Sequence, residues 1–111
     1  MLLAFSVAPS GIPADPAYAE AGGADASVHD AVAAAVRIVR DSGLPNKTDS
    51  MFTTIEGEWD EVFAVVKRAT EEVGKFGSRV SLVIKADIRP GFSGELTAKV
   101  DRLESAIAEG S

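Results

Sequence analysis

The chain has no cysteine. That excludes a disulfide framework, a thiolate metal site and a cysteine nucleophile, and it favours a reducing, cytoplasmic compartment. It has one histidine, His29, so no histidine metal site can be assembled. Basic residues are few, 11 against 17 acidic for a net charge of −6. Lys85, Arg89, Lys99 and Arg102 are interleaved with Asp87, Glu95, Asp101 and Glu104, so no basic stripe exists to follow a phosphate backbone. Nucleic acid is therefore not expected as a partner, whereas a small cation suits the charge balance. No apolar run approaches a membrane span, so no membrane partner is expected either. The opening "MLLAFSVAPSGIPADPAYA" carries a cleavage-site mimic in Ala17-Tyr18-Ala19. No Lys or Arg precedes Arg37, however, and a secretory signal needs a basic start. It reads instead as a first strand.

What is present fits one domain over residues 1–111. A chain of this size buries roughly 65% of its unfolded surface, enough for one core, and its hydrophobic fraction of 46% is ordinary for a globular protein. Leu3, Phe5 and Val7 alternate with Ala4, Ser6 and Ala8, the period of a strand, and Pro9-Ser10-Gly11 should end it. Residues 10–26 are rich in Ala, Gly and Pro and read as a long loop. Ser27 offers an N-cap with Asp30 three residues on, and Val28, Val32, Ala35, Val36 and Val39 follow at helical spacing until Gly43 and Pro45. His29, in the first turn, is expected to face solvent.

Residues 46–57 read as two strands broken near Asp49-Ser50. A second helix puts Trp59, Val62, Phe63, Val66, Ala69 and Val73 on one stripe, with Trp59 expected in the core or at an interface. "RVSLVIKADI" is a further strand. After Arg89-Pro90-Gly91, Ser93 can cap a last helix whose Leu96, Val100, Leu103 and Ile107 recur at spacings of four, three and four.

The order β-α-β-β-α-β plus a terminal helix predicts an α+β fold. It is a ferredoxin-like split βαβ sandwich, with a four-stranded antiparallel sheet and its two crossover helices on one face. Leu3, Phe5, Val7, Val80, Leu82 and Ile84 should meet those helices. The opposite face, with Ala4, Phe52, Thr54, Glu56 and Val83, is apolar enough to want a second layer. A second subunit is expected to supply it, giving a homodimer or tetramer.

Three stretches in this order, "FSVAPSG" (5–11), "SGLPNKTDSMFTTIEGEWDEV" (42–62) and "VIKADIRPG" (83–91), resemble the small thiamine-binding protein family. The resemblance covers nearly the whole chain apart from the 10–26 loop. It implies a ferredoxin-like fold, oligomers built through the sheets, binding of thiamine or its hydroxymethylpyrimidine half, and no catalysed reaction or cofactor. The chain departs from the family pattern in the longer loop, at Ser50 where many relatives have proline, and at Phe52 where many have glycine.

The residues support such a ligand on their own chemistry. An aminopyrimidine needs hydroxyl or amide donors, one acceptor, and an aromatic or methionine platform. Asn46, Thr48 and Thr53 can donate, Glu56 can accept, and Met51, Phe52 or Trp59 can form the platform. Ser6 is small enough on its strand to leave room for a ring. The ligand-binding set expected is thus Ser6, Asn46, Thr48, Met51, Thr53 and Glu56. Structural roles compete at several of these positions: threonines favour strands, methionine fills cores, and Glu56 could pair with Lys85 or serve the second helix N-terminus. Two other classes of function stay open. One is a regulatory or assembly module of the same fold. The other is an enzyme using paired carboxylates such as Glu56 and Asp87. An RNA-binding role would need a basic surface and several exposed sheet aromatics.

Overall fold

The computed structural model describes residues 1–19 and 24–110, and for 24–27 the backbone alone. Its elements are β1 (Leu2–Ser10), α1 (Ala24–Asp41), β2 (Asn46–Thr48), β3 (Thr53–Glu56), α2 (Trp59–Val73), β4 (Arg79–Asp87) and α3 (Glu95–Gly110). Short 3-10 turns occupy Pro16–Tyr18 and Gly74–Phe76. The four strands form one antiparallel sheet in the order β2-β3-β1-β4. This is the α+β, split-βαβ arrangement that the element order implies.

Register sorts the side chains. Leu3 faces Ile55 and Ala86 across its two neighbours, and Phe5 faces Thr53 and Ile84. Paired residues share a face, so Leu3, Phe5, Val7, Thr53 and Ile55 all point toward the helices. They close the core with Ala31, Ala35 and Val39 of α1 and the buried valines of α2. Burying one such side chain stabilises by about 1.5–3 kcal/mol.

Several elements differ from expectation. β1 continues through Pro9 to Ser10, pairing with Val80 and Arg79. Beyond Phe5 its other side is an open edge, where proline breaks no ladder. α1 begins at Ala24, so Ser27 lies inside the helix rather than before it, and the 10–26 loop shrinks from both ends. Residues 20–23 of that loop lie outside the described residues. The buried line of α1 is Ala31, Ala35 and Val39, while Val28 and Val32 are exposed. Small alanines let α1 pack closely, and the valines flank that contact. His29 is exposed, as its position in the first turn suggests.

Leu82 and Ile84 share the helix face by register, yet each keeps 38% exposure. β4 is the edge strand, and α2 covers the β1 side of it, leaving a groove between Phe63, Val66, Leu82 and Ile84. Trp59 is not core: it is 54% exposed and tilts over Phe63 with ring centroids 4.7 Å apart. α2 is capped by Glu58 and Glu61, whose carboxylate accepts the Glu58 amide at 2.8 Å.

Helix α3 stands apart from the core. Its first turn meets β3, but Val100, Leu103 and Ile107 remain half or more exposed. The radius of gyration is 16.4 Å, against about 13 Å for a compact chain of this length.

Candidate functional site

The hairpin between β2 and β3 is organised by one carboxylate. Asp49 Oδ1 accepts the backbone N–H groups of Met51 (2.8 Å) and Phe52 (2.9 Å), and the Asp49 amide donates to the Phe52 carbonyl at 2.9 Å. Short polar side chains that bond their own backbone two residues on are the usual makers of such turns. The Phe52 and Met51 amides, with a smaller contribution from Lys47, hold the Asp49 carboxyl below its ordinary value. At the base of the turn Thr48 pairs with Thr53, and their hydroxyl oxygens lie 3.1 Å apart. Thr53 is 6% exposed.

This turn and parts of α1 and β1 line an open cleft of about 90 Å³. Phe5, Val32 and Val36 give it apolar walls, and Thr48, Asp49 and Thr53 bring polar atoms. Four residues of the sequence-derived set line it: Ser6, Thr48, Met51 and Thr53. Met51 sits at the mouth, largely exposed. Asn46 does not reach the cleft; its side-chain amide donates to the Leu44 carbonyl at 2.8 Å.

Glu56 lies on the opposite face of the sheet. Its carboxylate accepts the backbone N–H groups of Glu95 (2.8 Å) and Leu96 (3.3 Å), the first turn of α3. An N-terminal helix turn has unsatisfied amides and a partial positive charge, so a carboxylate is its natural partner. Glu56 thus does for α3 what Ser93 was expected to do. Among the described residues it forms no ion pair with Lys85. The neighbouring motif Lys85-x-Asp87-x-Arg89 serves the same junction: Asp87 pairs with Lys99, and Arg89 lies 3.6 Å from Glu95 and over the Phe92 ring. Buried Glu95 also takes a 2.9 Å bond from Arg102.

Ser50 and Phe52, noted in the sequence as departures from the family pattern, also line the cleft, and Asp49, Val32 and Val36 line it without having been picked out as ligand contacts. Asp49 was legible as a turn former between two strands. The α1 valines were not, because nothing in a helical stripe says which flank overhangs a hairpin.

The four-stranded split-βαβ sheet makes this a small α+β protein, and comparison with known proteins places the chain more narrowly. The thiamine-binding protein family matches residues 4–104, and the chain belongs to that family. It is 49% identical to the UPF0045 protein Mb1933 of Mycobacterium bovis, over 94% of this chain and 91% of that one. A Bacillus cereus structure of a domain of unknown function, DUF77, superposes with a TM-score of 0.70 and 31% identity over 89% of this chain and 85% of its own. A Thermotoga maritima protein provisionally assigned to thiamine biosynthesis or salvage superposes with a TM-score of 0.67 at 20% identity, over 90% of this chain and 96% of its own. Among the described residues no helix is long and apolar enough to cross a membrane.

Proposed function

We propose that the chain, acting as one domain, is a non-catalytic binding protein for thiamine or its hydroxymethylpyrimidine half, and that the ring enters the cleft between β1, α1 and the β2–β3 turn. The observation that carries this reading is the Thr48–Thr53 hydroxyl pair, 3.1 Å apart, set among apolar walls. A hydroxyl both donates and accepts, so the pair can answer ring-nitrogen acceptors and an exocyclic amine together. The cleft of about 90 Å³ is small beside the roughly 300–1,000 Å³ of sites for drug-sized ligands. It suits one ring, with a thiazolium left at the mouth near Met51. A net charge of −6 favours that cation. The family name, and the provisional assignment of the Thermotoga protein to thiamine metabolism, point the same way.

In this reading Ser6, Thr48, Met51 and Thr53 touch the ligand, and Asp49 takes over the acceptor role first expected of Glu56. Asn46 and Glu56 hold the frame. A paired-carboxylate enzyme is disfavoured because Glu56 is engaged by α3 amides and Asp87 by Lys99. The half-exposed Val83 and the apolar stripe of α3 support a homodimer or tetramer, since such patches on a lone subunit invite association, and the cysteine-free sequence favours a cytoplasmic setting for it. Calorimetric titration with thiamine and with hydroxymethylpyrimidine tests the ligand. Saturable binding of either, one per chain, is expected, and no heat from both at millimolar concentration overturns the reading. Sedimentation at micromolar concentration tests the assembly, which a monomer would refute.

A further inference from the structure

The segment 11–18 after β1 was expected to be a mere loop, yet it is folded against residues 74–78, and it shares no lining residue with the cleft. Asp15 caps the turn Pro16–Tyr18: its Oδ1 accepts the Ala17 amide at 2.9 Å, and its carbonyl accepts the Tyr18 amide at 3.0 Å. The Tyr18 ring stands edge-on to Phe76, with centroids 5.1 Å apart and planes at 84°. Two glycines let the chains touch. Gly11 has φ +79°, a conformation glycine adopts freely, and a Cβ there would stand 2.1 Å from Ser78 Oγ. A Cβ on Gly77 would stand 2.4 Å from the Ser10 carbonyl oxygen. The segment is thus pinned at its start by backbone contact and at its end by an aromatic pair.

Between those two pins it borders an open-mouthed cavity of about 430 Å³, within the range of small-molecule sites. Ile12, Ala14 and Tyr18 form apolar walls, and Asp15, Lys75 and Ser78 add polar groups. Ile12 is 83% exposed, an apolar side chain left uncovered beside a cavity. Lys75 is held by Glu72 at 2.9 Å, which raises its pKa and keeps it charged. An ammonium has three donors, so two remain for a ligand. Only one oxygen of Asp15 is taken up by the turn, and the Ser78 hydroxyl makes no hydrogen bond among the described residues.

We propose that this cavity is a second binding site, separate from the hydroxyl-lined cleft, for a small net-neutral molecule of the amino-acid class: an apolar side chain carrying both an ammonium and a carboxylate. The body packs on Ile12 and Tyr18, the carboxylate meets Lys75 and Ser78, and the ammonium meets Asp15. A simple anion suits the site less, because the chain as a whole is strongly acidic and Asp15 shares the wall. A simple cation suits it less, because it would leave the spare Lys75 donors and the Ser78 hydroxyl without a partner. A zwitterion answers both charges.

The test is amide chemical-shift mapping with titration of L-phenylalanine and L-leucine. The controls are 3-phenylpropionate, which lacks the ammonium, and 2-phenylethylamine, which lacks the carboxylate. Saturable binding of at least one amino acid is expected, with shifts centred on Ile12, Tyr18, Gly77 and Ser78. Each control should bind about tenfold more weakly, the scale of one lost charge-assisted bond. Lys75→Gln and Asp15→Asn should each weaken amino-acid binding severalfold. Both sites are exposed, and asparagine caps a turn as well as aspartate, so the fold is retained. The proposal is overturned if neither amino acid binds at millimolar concentration or if the controls bind equally well. It is also overturned if the shifts centre on Thr48 and Thr53, or if thiamine displaces the amino acid. Absence of thiamine binding would leave this result untouched, so the two sites stand or fall separately.

Discussion

Thr53 and Glu56 lie three residues apart on a four-residue strand and belong to different regions of the protein. Thr53 points toward the helices, pairs with Thr48 and closes the cleft. Glu56 points through the other face and holds the first turn of α3. Both are nearly buried, at 6% and 7% exposure. Burial therefore does not distinguish the proposed ligand contact from the anchor here. Partners do: Thr53 meets a hydroxyl with spare hydrogen-bonding capacity, whereas Glu56 meets two backbone amides that have no other partner among the described residues. The alternation of a strand sends such residues to opposite faces, and each face here has its own task.

The largest effect should come from removing the anchor. Glu56→Ala deletes two hydrogen bonds to a carboxylate and leaves the Glu95 and Leu96 amides unsatisfied. Bonds to charged groups contribute about 1.5–3 kcal/mol, so a stability loss of about 3 kcal/mol is expected in chemical denaturation. Amide exchange should quicken along α3 while thiamine affinity stays within about twofold, a negligible energy. A variant that binds poorly yet keeps α3 protected would reverse the assignment of Glu56.

Thr53→Val should show the opposite pattern. The shape is kept and one neutral hydroxyl partner is lost, at a cost of about 1 kcal/mol. Affinity measured by calorimetry should fall about fivefold, with α3 exchange unchanged. Equal loss of affinity in Thr53→Val and Glu56→Ala would mean that the two faces are not separate.

The contrast between these two residues also marks how far the sequence could be read. The order of the elements gave the fold, and alternation in β1 and the stripe of α2 gave most of the core, because each pattern records which side of an element is covered. Alternation also put Thr53 and Glu56 on opposite faces. What could not be read is what lies over each face. Glu56 was grouped with the ligand set because its partner sits 39 residues away at the start of α3, and no local pattern reports a contact of that separation. The N-cap expected of Ser93 failed for the same reason. Trp59 and Leu82 looked like core by their spacing, but spacing does not say that β4 is an edge or that α2 leaves it half covered.

The smallest effect on stability concerns Asp49, which shapes the turn as well as lining the cleft. Its pKa is lowered in the folded chain, chiefly by the Phe52 and Met51 amides. A carboxyl whose folded pKa is depressed contributes stability above its unfolded value, near 3.8, and that contribution is lost as pH falls through the folded value. The turn should therefore be fully formed at neutral pH and loosen only in acid below about pH 4. Because Asp49 is fully exposed, solvent screens the interaction and global stability should hardly change. The measurement is the pH dependence of the Met51 and Phe52 amide chemical shifts. A midpoint below 3.8 is expected, and the titration should vanish in Asp49→Asn. The Glu95 and Leu96 amides, across the sheet, should keep the same shifts in Asp49→Asn as in the unmodified chain. If removing the Asp49 charge moves all four amides, the hairpin and the α3 junction respond as one unit, and the two faces of β3 are mechanically coupled rather than independent.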